Sequence, residues 1–285
     1  MNTDRPVVKI CGVRTPDSAI AVAAAGADLI GVNFAHVSKR RVDPQTARRI
    51  VDSLRGRGGV VAPLPSQRGR GWGGGFLRNG GGAEREWGDP HPPPGVVGIF
   101  VEQSPDTIAV IAREASLHAV QLSGDYTPAA CIAVHDATGL PVIAVMRLGG
   151  AHDVPMAMAL ASSAGVVAVL VDAPGAVGGA GHAWDHAQAR PVVEAVSARG
   201  VGVIVAGGLH EGNVRDALAR SGAWGVDVAS GVETAGLTDP ARVAAFVRAA
   251  HSGFRAEPLH SCTSEVPCTP KALSLYPSPV ATGQG

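Results

Sequence analysis

The 285-residue sequence predicts an α/β fold made of one (β/α)8 barrel. Three observations predict it. Short runs of Val, Ile and Leu alternate about eight times with Ala-rich amphipathic stretches of helical length, the signature of repeated βα units. The runs are apolar at successive positions, as strands covered on both faces are. Hydrophobic residues make up 46% of the chain, enough for a substantial core in a single domain of this length. Eight strands each followed by a helix fit a closed barrel better than an open doubly wound sheet.

Taken in order, VVKI from Val7 is the first strand, and Thr15-Pro16 opens a helix over about 15–25. DLIGVNF from Asp28 leads to a helix over 44–54, VVGIFV from Val96 to one over 105–115, and HAVQL from His118 to one over 127–138. PVIAV from Pro141, VVAVLV from Val166, VGVIVA from Val201 and WGVDVA from Trp224 precede helices over 152–163, 186–199, 211–220 and 239–251. Five of these helices begin with a capping side chain directly before Pro: Thr15-Pro16, Asp43-Pro44, Ser104-Pro105, Thr127-Pro128 and Asp239-Pro240. The side-chain oxygen accepts from an unpaired amide of the first turn, and Pro has no N–H to leave unpaired there.

Two stretches break the pattern. Residues 55 to about 95 are dense in Gly, Pro and Arg, and residues 252–285 are Ser/Pro-rich and aperiodic. Neither composition buries enough apolar surface to offset the entropy of ordering. The barrel is therefore expected within 1–251, interrupted by a disordered insert and followed by a disordered tail.

Lys+Arg and Asp+Glu both number 24, so no global field attracts nucleic acid or an anionic membrane. The Arg/Gly/Trp-rich insert is similar in composition to RNA-binding tracts, but a passive insertion is the favoured reading and nucleic acid is not an expected partner. No apolar run is long enough to span a bilayer, and the N-terminus enters a strand without a secretory signal, so cytoplasmic residence is expected. Cys11, Cys131, Cys262 and Cys268 lack metal-site or disulfide-scaffold spacing. No cofactor or metal motif is evident.

A barrel of this kind gathers its active site at the C-terminal ends of its strands. The residues to weigh there are Cys11, the loop Ala35–Arg41, Gln121, Ser123, Asp125, Met146, Arg147, Asp172, the run Gly178-Gly179-Ala180-Gly181, Gly207-Gly208 and Ser230-Gly231. Glycines after the last two strands suit a phosphate held by backbone amides, although each alone could be a tight turn. Cys11 and Asp172 form a possible acid/base pair on strands expected to face one another across the mouth. A thiol serving as base needs a depressed pKa, which phosphate-binding amides could supply; a lone Cys at a strand end is otherwise more often a small core residue. Lys39, Arg40 and Arg41 read either as a solvated loop or as the source of a guanidinium over the site.

The stretches KICGVRTPDSA, GADLIGVNF, SKRRVDPQTARRI, VGIFVEQSPDTI, VQLSGD, LVDAPGAVGGAGHAWD, VAGGLHEGNV and GVDVASGVET, in this order, resemble the phosphoribosylanthranilate isomerase family. The resemblance implies an Amadori rearrangement in tryptophan biosynthesis without metal or nucleotide, converting N-(5-phosphoribosyl)anthranilate to 1-(2-carboxyphenylamino)-1-deoxyribulose 5-phosphate. It implies Asp172 as general acid, Cys11 as general base and Arg40 as the arginine for the anthranilate carboxylate. Gly179, Gly207, Gly208, Ser230 and Gly231 fall on substrate and phosphate loops, and Asp227 on the aspartate ending strand 8. The only partner implied is the phosphorylated aminosugar, with monomer and homodimer both compatible. The chain departs from the family pattern at Ser123, where histidine is usual, at Ala180 for a hydroxyl residue, at Leu237 in place of a lysine, and at Trp184-Asp185-His186 in place of FDW. A paralogue acting on another aminoaldose phosphate, and a non-catalytic barrel binding RNA or protein through the insert, are the alternatives.

Overall fold

A computed structural model describes residues 5–55, 93–173 and 184–252. Eight parallel strands close into a barrel in sequence order: β1 (Val7–Cys11), β2 (Leu29–Asn33), β3 (Gly95–Phe100), β4 (Ala119–Leu122), β5 (Val142–Arg147), β6 (Val166–Asp172), β7 (Gly202–Val205) and β8 (Gly225–Val228). The ring is sealed by β1 against β8, where Lys9 lies beside Asp227. Helices α1 (Pro16–Ala24), α2 (Pro44–Arg55), α3 (Pro105–Ala115), α4 (Pro128–Thr138), α5 (Asp153–Ala161), α6 (Arg190–Ser197), α7 (Val214–Ser221) and α8 (Pro240–His251) follow the strands in turn. The TIM-barrel expectation is met, strand by strand.

Alternation along each strand divides two cores. Val7, Leu29, Val97, Ala119, Ile143, Ala168, Leu170, Ile204 and Trp224 fill the inside of the barrel. Val8, Ile10, Ile30, Val96, Val120 and Val226 point outward and pack with the helices. All five Pro-preceding caps form: Thr15, Ser104, Thr127 and Asp239 accept from amides of the first turn, and Asp43 Oδ1 accepts from Thr46 N–H at 2.8 Å.

The structure differs from expectation in three places. A single helix over 186–199 gives way to a 3-10 turn, His186–Ala189, before α6. Pro191 lacks an N–H and its ring would strike the carbonyl four residues back, so α-helical winding cannot run through it. Helix α7 begins at Val214 rather than 211, because Asn213 is used in the preceding loop, accepting from His210 N–H at 2.8 Å and donating to Gly208 O at 2.9 Å. An unexpected hairpin, β9 (Glu233–Thr234) with β10 (Leu237–Thr238), follows β8 through Ala235 and Gly236, both at positive φ as a tight hairpin turn requires. The expected insert, apart from its edges at Arg55 and 93–95, the tail beyond Ser252, and Gly179 lie outside the described residues. Among the described residues, no helix is long and apolar enough to cross a membrane.

Candidate active site

The C-terminal ends of the strands surround a cavity of about 790 Å³. Cys11, Arg40, Asp172, Gly207, Gly208, Asp227, Ser230 and Gly231 all line it, together with Gln121, Ser123 and Arg147. Residues up to 220 positions apart in sequence are thus brought to one mouth, while the run Gly178-Gly179-Ala180-Gly181 singled out from the sequence lies outside the described residues.

Cys11 is the last residue of β1 and only partly covered, and Gly12, at φ 82°, turns the chain away behind it. Arg40 crosses directly over Gly12: a Cβ there would collide with its side-chain carbons. The guanidinium is fixed from the far side by Glu233 on the unexpected hairpin, with Nε donating to Oε1 at 2.6 Å and Nη2 to Oε2 at 2.8 Å. Both side chains are nearly buried, and this two-point hydrogen bond holds the Glu233 carboxyl below its usual range. Nη1 remains without a partner among the described residues. The Lys39–Arg41 run is therefore a solvated loop only in part: its central arginine is turned inward over the site.

Beneath Cys11 stands a residue that sequence reasoning missed. Lys9 is fully buried and donates to Asp227 Oδ1 at 2.8 Å. Burial opposes its charge, but Asp227 and Cys11 outweigh that and raise its pKa. Its signal was a charged residue in the middle of the apolar run VVKI, which only ion pairing or function explains.

The Cys11 thiol is pushed up to about 11 by burial, with Lys9 as the main opposing influence and Arg40 a lesser one; the Asp227 carboxylate adds to the rise. This corrects the expectation of a depressed thiol pKa: at Cys11, desolvation wins over the nearby cations. Asp172 ends β6, and its carboxyl is also shifted upward, by burial first and by the Asp227 charge, while the Ala173 N–H donating to Oδ1 at 2.8 Å pulls the other way. The strand geometry needs correcting too. In the closed order, β1 lies opposite β5, and β6 is one strand round from there. Asp227 on β8 sits between them in its effects, since its charge acts on both Cys11 and Asp172.

Between β6 and β8, beside Asp172 and Asp227, the loop after β7 is held by its carbonyls. Trp184 Nε1 donates to Ala206 O at 2.8 Å, a His186 ring nitrogen lies 3.1 Å from Gly207 O, and Asn213 donates to Gly208 O. Gly207 has no room for a side chain, because a Cβ would stand 2.9 Å from Trp184 Nε1 and 3.1 Å from Asp172 Oδ1. Gly231 after β8 lies against the Leu209 carbonyl so closely that any Cβ would overlap it. The two glycine loops are therefore packed on one another as one cradle of backbone groups. On the β4 side, Gln121 donates to Ser123 Oγ at 3.1 Å, while its buried Oε1 has no partner among the described residues. No group of three or more His, Cys, Asp or Glu that could hold a metal ion occurs among the described residues.

A family model for N-(5'-phosphoribosyl)anthranilate (PRA) isomerase matches residues 84–249, more than half of the chain. The chain belongs to the phosphoribosylanthranilate isomerase family. It is 38% identical over 249 residues to the N-(5'-phosphoribosyl)anthranilate isomerase of Myxococcus xanthus, covering 86% of this chain and 96% of that protein. The phosphoribosyl anthranilate isomerase structure from Thermotoga maritima matches with a TM-score of 0.65 at 27% identity, over 86% of this chain and 98% of that one. Another phosphoribosyl anthranilate isomerase structure, in complex with reduced 1-(o-carboxyphenylamino)-1-deoxyribulose 5-phosphate, matches with a TM-score of 0.62 at 26% identity, over 86% and 98% of the two chains.

Proposed function

We propose that the chain isomerises N-(5-phosphoribosyl)anthranilate to 1-(2-carboxyphenylamino)-1-deoxyribulose 5-phosphate, the Amadori step of tryptophan biosynthesis, with Asp172 as acid and Cys11 as base. The observation carrying this reading is that a thiol and an acid-shifted carboxyl line one cavity with the paired glycine loops, in a chain of this family.

The backbone of Gly207, Gly208, Ser230 and Gly231 receives the phosphate, whose charge suits unpaired amides and whose approach needs the absent side chains. Arg40 offers its Nη1, without a partner among the described residues, to the anthranilate carboxylate while Glu233 fixes the plane of the fork. Asp172 gives its proton to the ribose ring oxygen; the C1′–O bond breaks, and the nitrogen lone pair forms the C1′=N iminium. The Cys11 thiolate takes the C2′ proton, the C–H electrons become the C1′=C2′ bond, and the nitrogen returns to neutral. The enolamine then takes a proton at C1′ and releases the O2′ proton, giving the ketone. Every proton gained is one released, so no cofactor enters.

The pKa order has a consequence. With the thiol near 11 and Asp172 a carboxyl, the resting pair is thiol plus carboxylate, whereas turnover starts from thiolate plus carboxylic acid. The two forms hold the same number of protons and differ by moving one. Raising Asp172 and stabilising the thiolate both enlarge the productive fraction. The iminium formed by ring opening adds a positive charge that favours the thiolate when it is needed. Cytoplasmic action, without metal and as monomer or homodimer, belongs to the same proposal.

Loss of phosphoribosylanthranilate fluorescence with the purified chain tests the reading. Cys11→Ala and Asp172→Asn each lower kcat by about 10²- to 10⁴-fold with little change in KM. A folded wild-type protein without turnover, or variants altered only in KM, contradicts it.

A further inference from the structure

We propose that Lys9 is a positioning residue for the isomerisation, its buried ammonium favouring the base-competent form of Cys11 from beneath the cavity, with Asp227 bracing that ammonium. The proposal rests on the assignment of Cys11 as base, and Lys9 itself does not line the cavity.

Lys9 is an inward position of β1, two residues before Cys11, and it is fully shielded from solvent. The comparable inward positions Val7, Leu29, Ile143 and Ile204 are apolar. An ion pair at such depth is weak evidence of a stability role, because desolvating two charges costs about as much as their attraction returns and apolar replacements are often neutral or better. A charge kept there calls for another use. The neighbouring strand supplies room for it: Gly31 on β2 is level with Cys11, and a Cβ at Gly31 would stand 3.1 Å from Lys9 Nζ and 3.2 Å from Cys11 Cα. The ammonium thus shares the small space under the thiol and acts on it by charge.

The other charges facing Cys11 do not replace it. Arg40 arrives from the loop after β2, but its charge is answered by Glu233 at two points. Asp227 on β8 is an anion and works against a thiolate. Without Lys9 that carboxylate would face the thiol unanswered. The Lys9–Asp227 pair is therefore directional: its cationic end serves the base, and the charge of its anionic end, on the cavity wall, favours the acid form of Asp172. One buried pair pushes both members of the proton-transfer couple toward the productive form.

The test reads the thiol directly, apart from turnover. The full chain is treated with iodoacetamide at fixed pH, and alkylation of the Cys11 peptide is followed by mass spectrometry, for the wild type, Lys9→Gln and the double variant Lys9→Met with Asp227→Asn. The double variant leaves no unpaired buried charge and covers the case in which Lys9→Gln does not fold. Each unit of upward pKa shift cuts the thiolate tenfold; because a more basic thiolate is also more nucleophilic, alkylation slows by about threefold per unit. We expect alkylation at least threefold slower in Lys9→Gln, slower by a smaller factor in the double variant, and a fall in kcat of Lys9→Gln with KM unchanged. Folded variants alkylated at the wild-type rate overturn the proposal. Slower alkylation with undiminished kcat instead overturns the assignment of Cys11 as base, while leaving the electrostatic role of Lys9 standing.

Discussion

Gly231→Ala is the sharpest probe of the glycine cradle. The added methyl carbon would overlap the carbonyl oxygen of Leu209, a backbone atom that no rotamer change can clear. Ordinary carbon–oxygen contact is about 3.3 Å, so the loops after β7 and β8 must part by roughly 1 Å or more. Overpacking of this kind costs about 1–3 kcal/mol of stability. The larger consequence is for the phosphate. Hydrogen bonds to a charged group contribute about 1.5–3 kcal/mol each. Parting the loops misaligns amides of one loop, and losing two such bonds amounts to about 3–6 kcal/mol, which at 1.4 kcal/mol per decade is about a 10²- to 10⁴-fold rise in KM. Because Cys11 and Asp172 sit on β1 and β6, kcat changes far less. The assay is fluorescence decay of phosphoribosylanthranilate over a range of substrate concentrations, with inorganic phosphate as competitor. A folded Gly231→Ala protein with wild-type KM and undiminished phosphate inhibition would refute the cradle.

Three further outcomes follow from the same geometry. Arg40→Ala raises KM by about tenfold or more, and Gly12→Ala does likewise by displacing the Arg40 side chain, with about 1–2 kcal/mol of added backbone strain at φ 82°; a change confined to kcat would sink the carboxylate role. Burial lowers the His118 pKa from 6.5 to about 4 while Val96 N–H donates to its Nδ1 at 2.9 Å. The unfolded chain then binds a proton first as the pH falls, so stability is lost between about pH 6.5 and 4 at about 1.4 kcal/mol per unit. His118→Asn, whose side-chain oxygen can accept the same N–H, removes that slope, and parallel curves of Tm against pH for the two proteins would contradict the account. Removing Lys9 is expected to slow both alkylation at Cys11 and turnover, as argued above.

The elements were legible in the sequence because their causes are local. A parallel strand buried on both faces must be apolar throughout, and a Thr-Pro or Asp-Pro step must begin a helix rather than continue one. Hence all eight strands and the five capped helix starts stand where the residues place them, and strand ends in a barrel fix where to look for Cys11, Asp172 and the glycine pairs. The failures were non-local or competitive. Pro191 split the sixth helix because a ring clash outweighed amphipathic periodicity, and Asn213 left its helix to serve a loop carbonyl.

By itself, then, the sequence determined a closed barrel of βα units and an inventory of reacting groups, since apolar pattern and capping act within a few residues. Only the tertiary structure decided what those groups are. It set Lys9 under Cys11 across from Asp227, 218 positions away, closed Glu233 onto Arg40 from 193 positions away, and raised rather than lowered the thiol. The reason is physical: a pKa depends on the water removed and the charges brought near, and both are fixed by distance in space, which sequence separation does not measure.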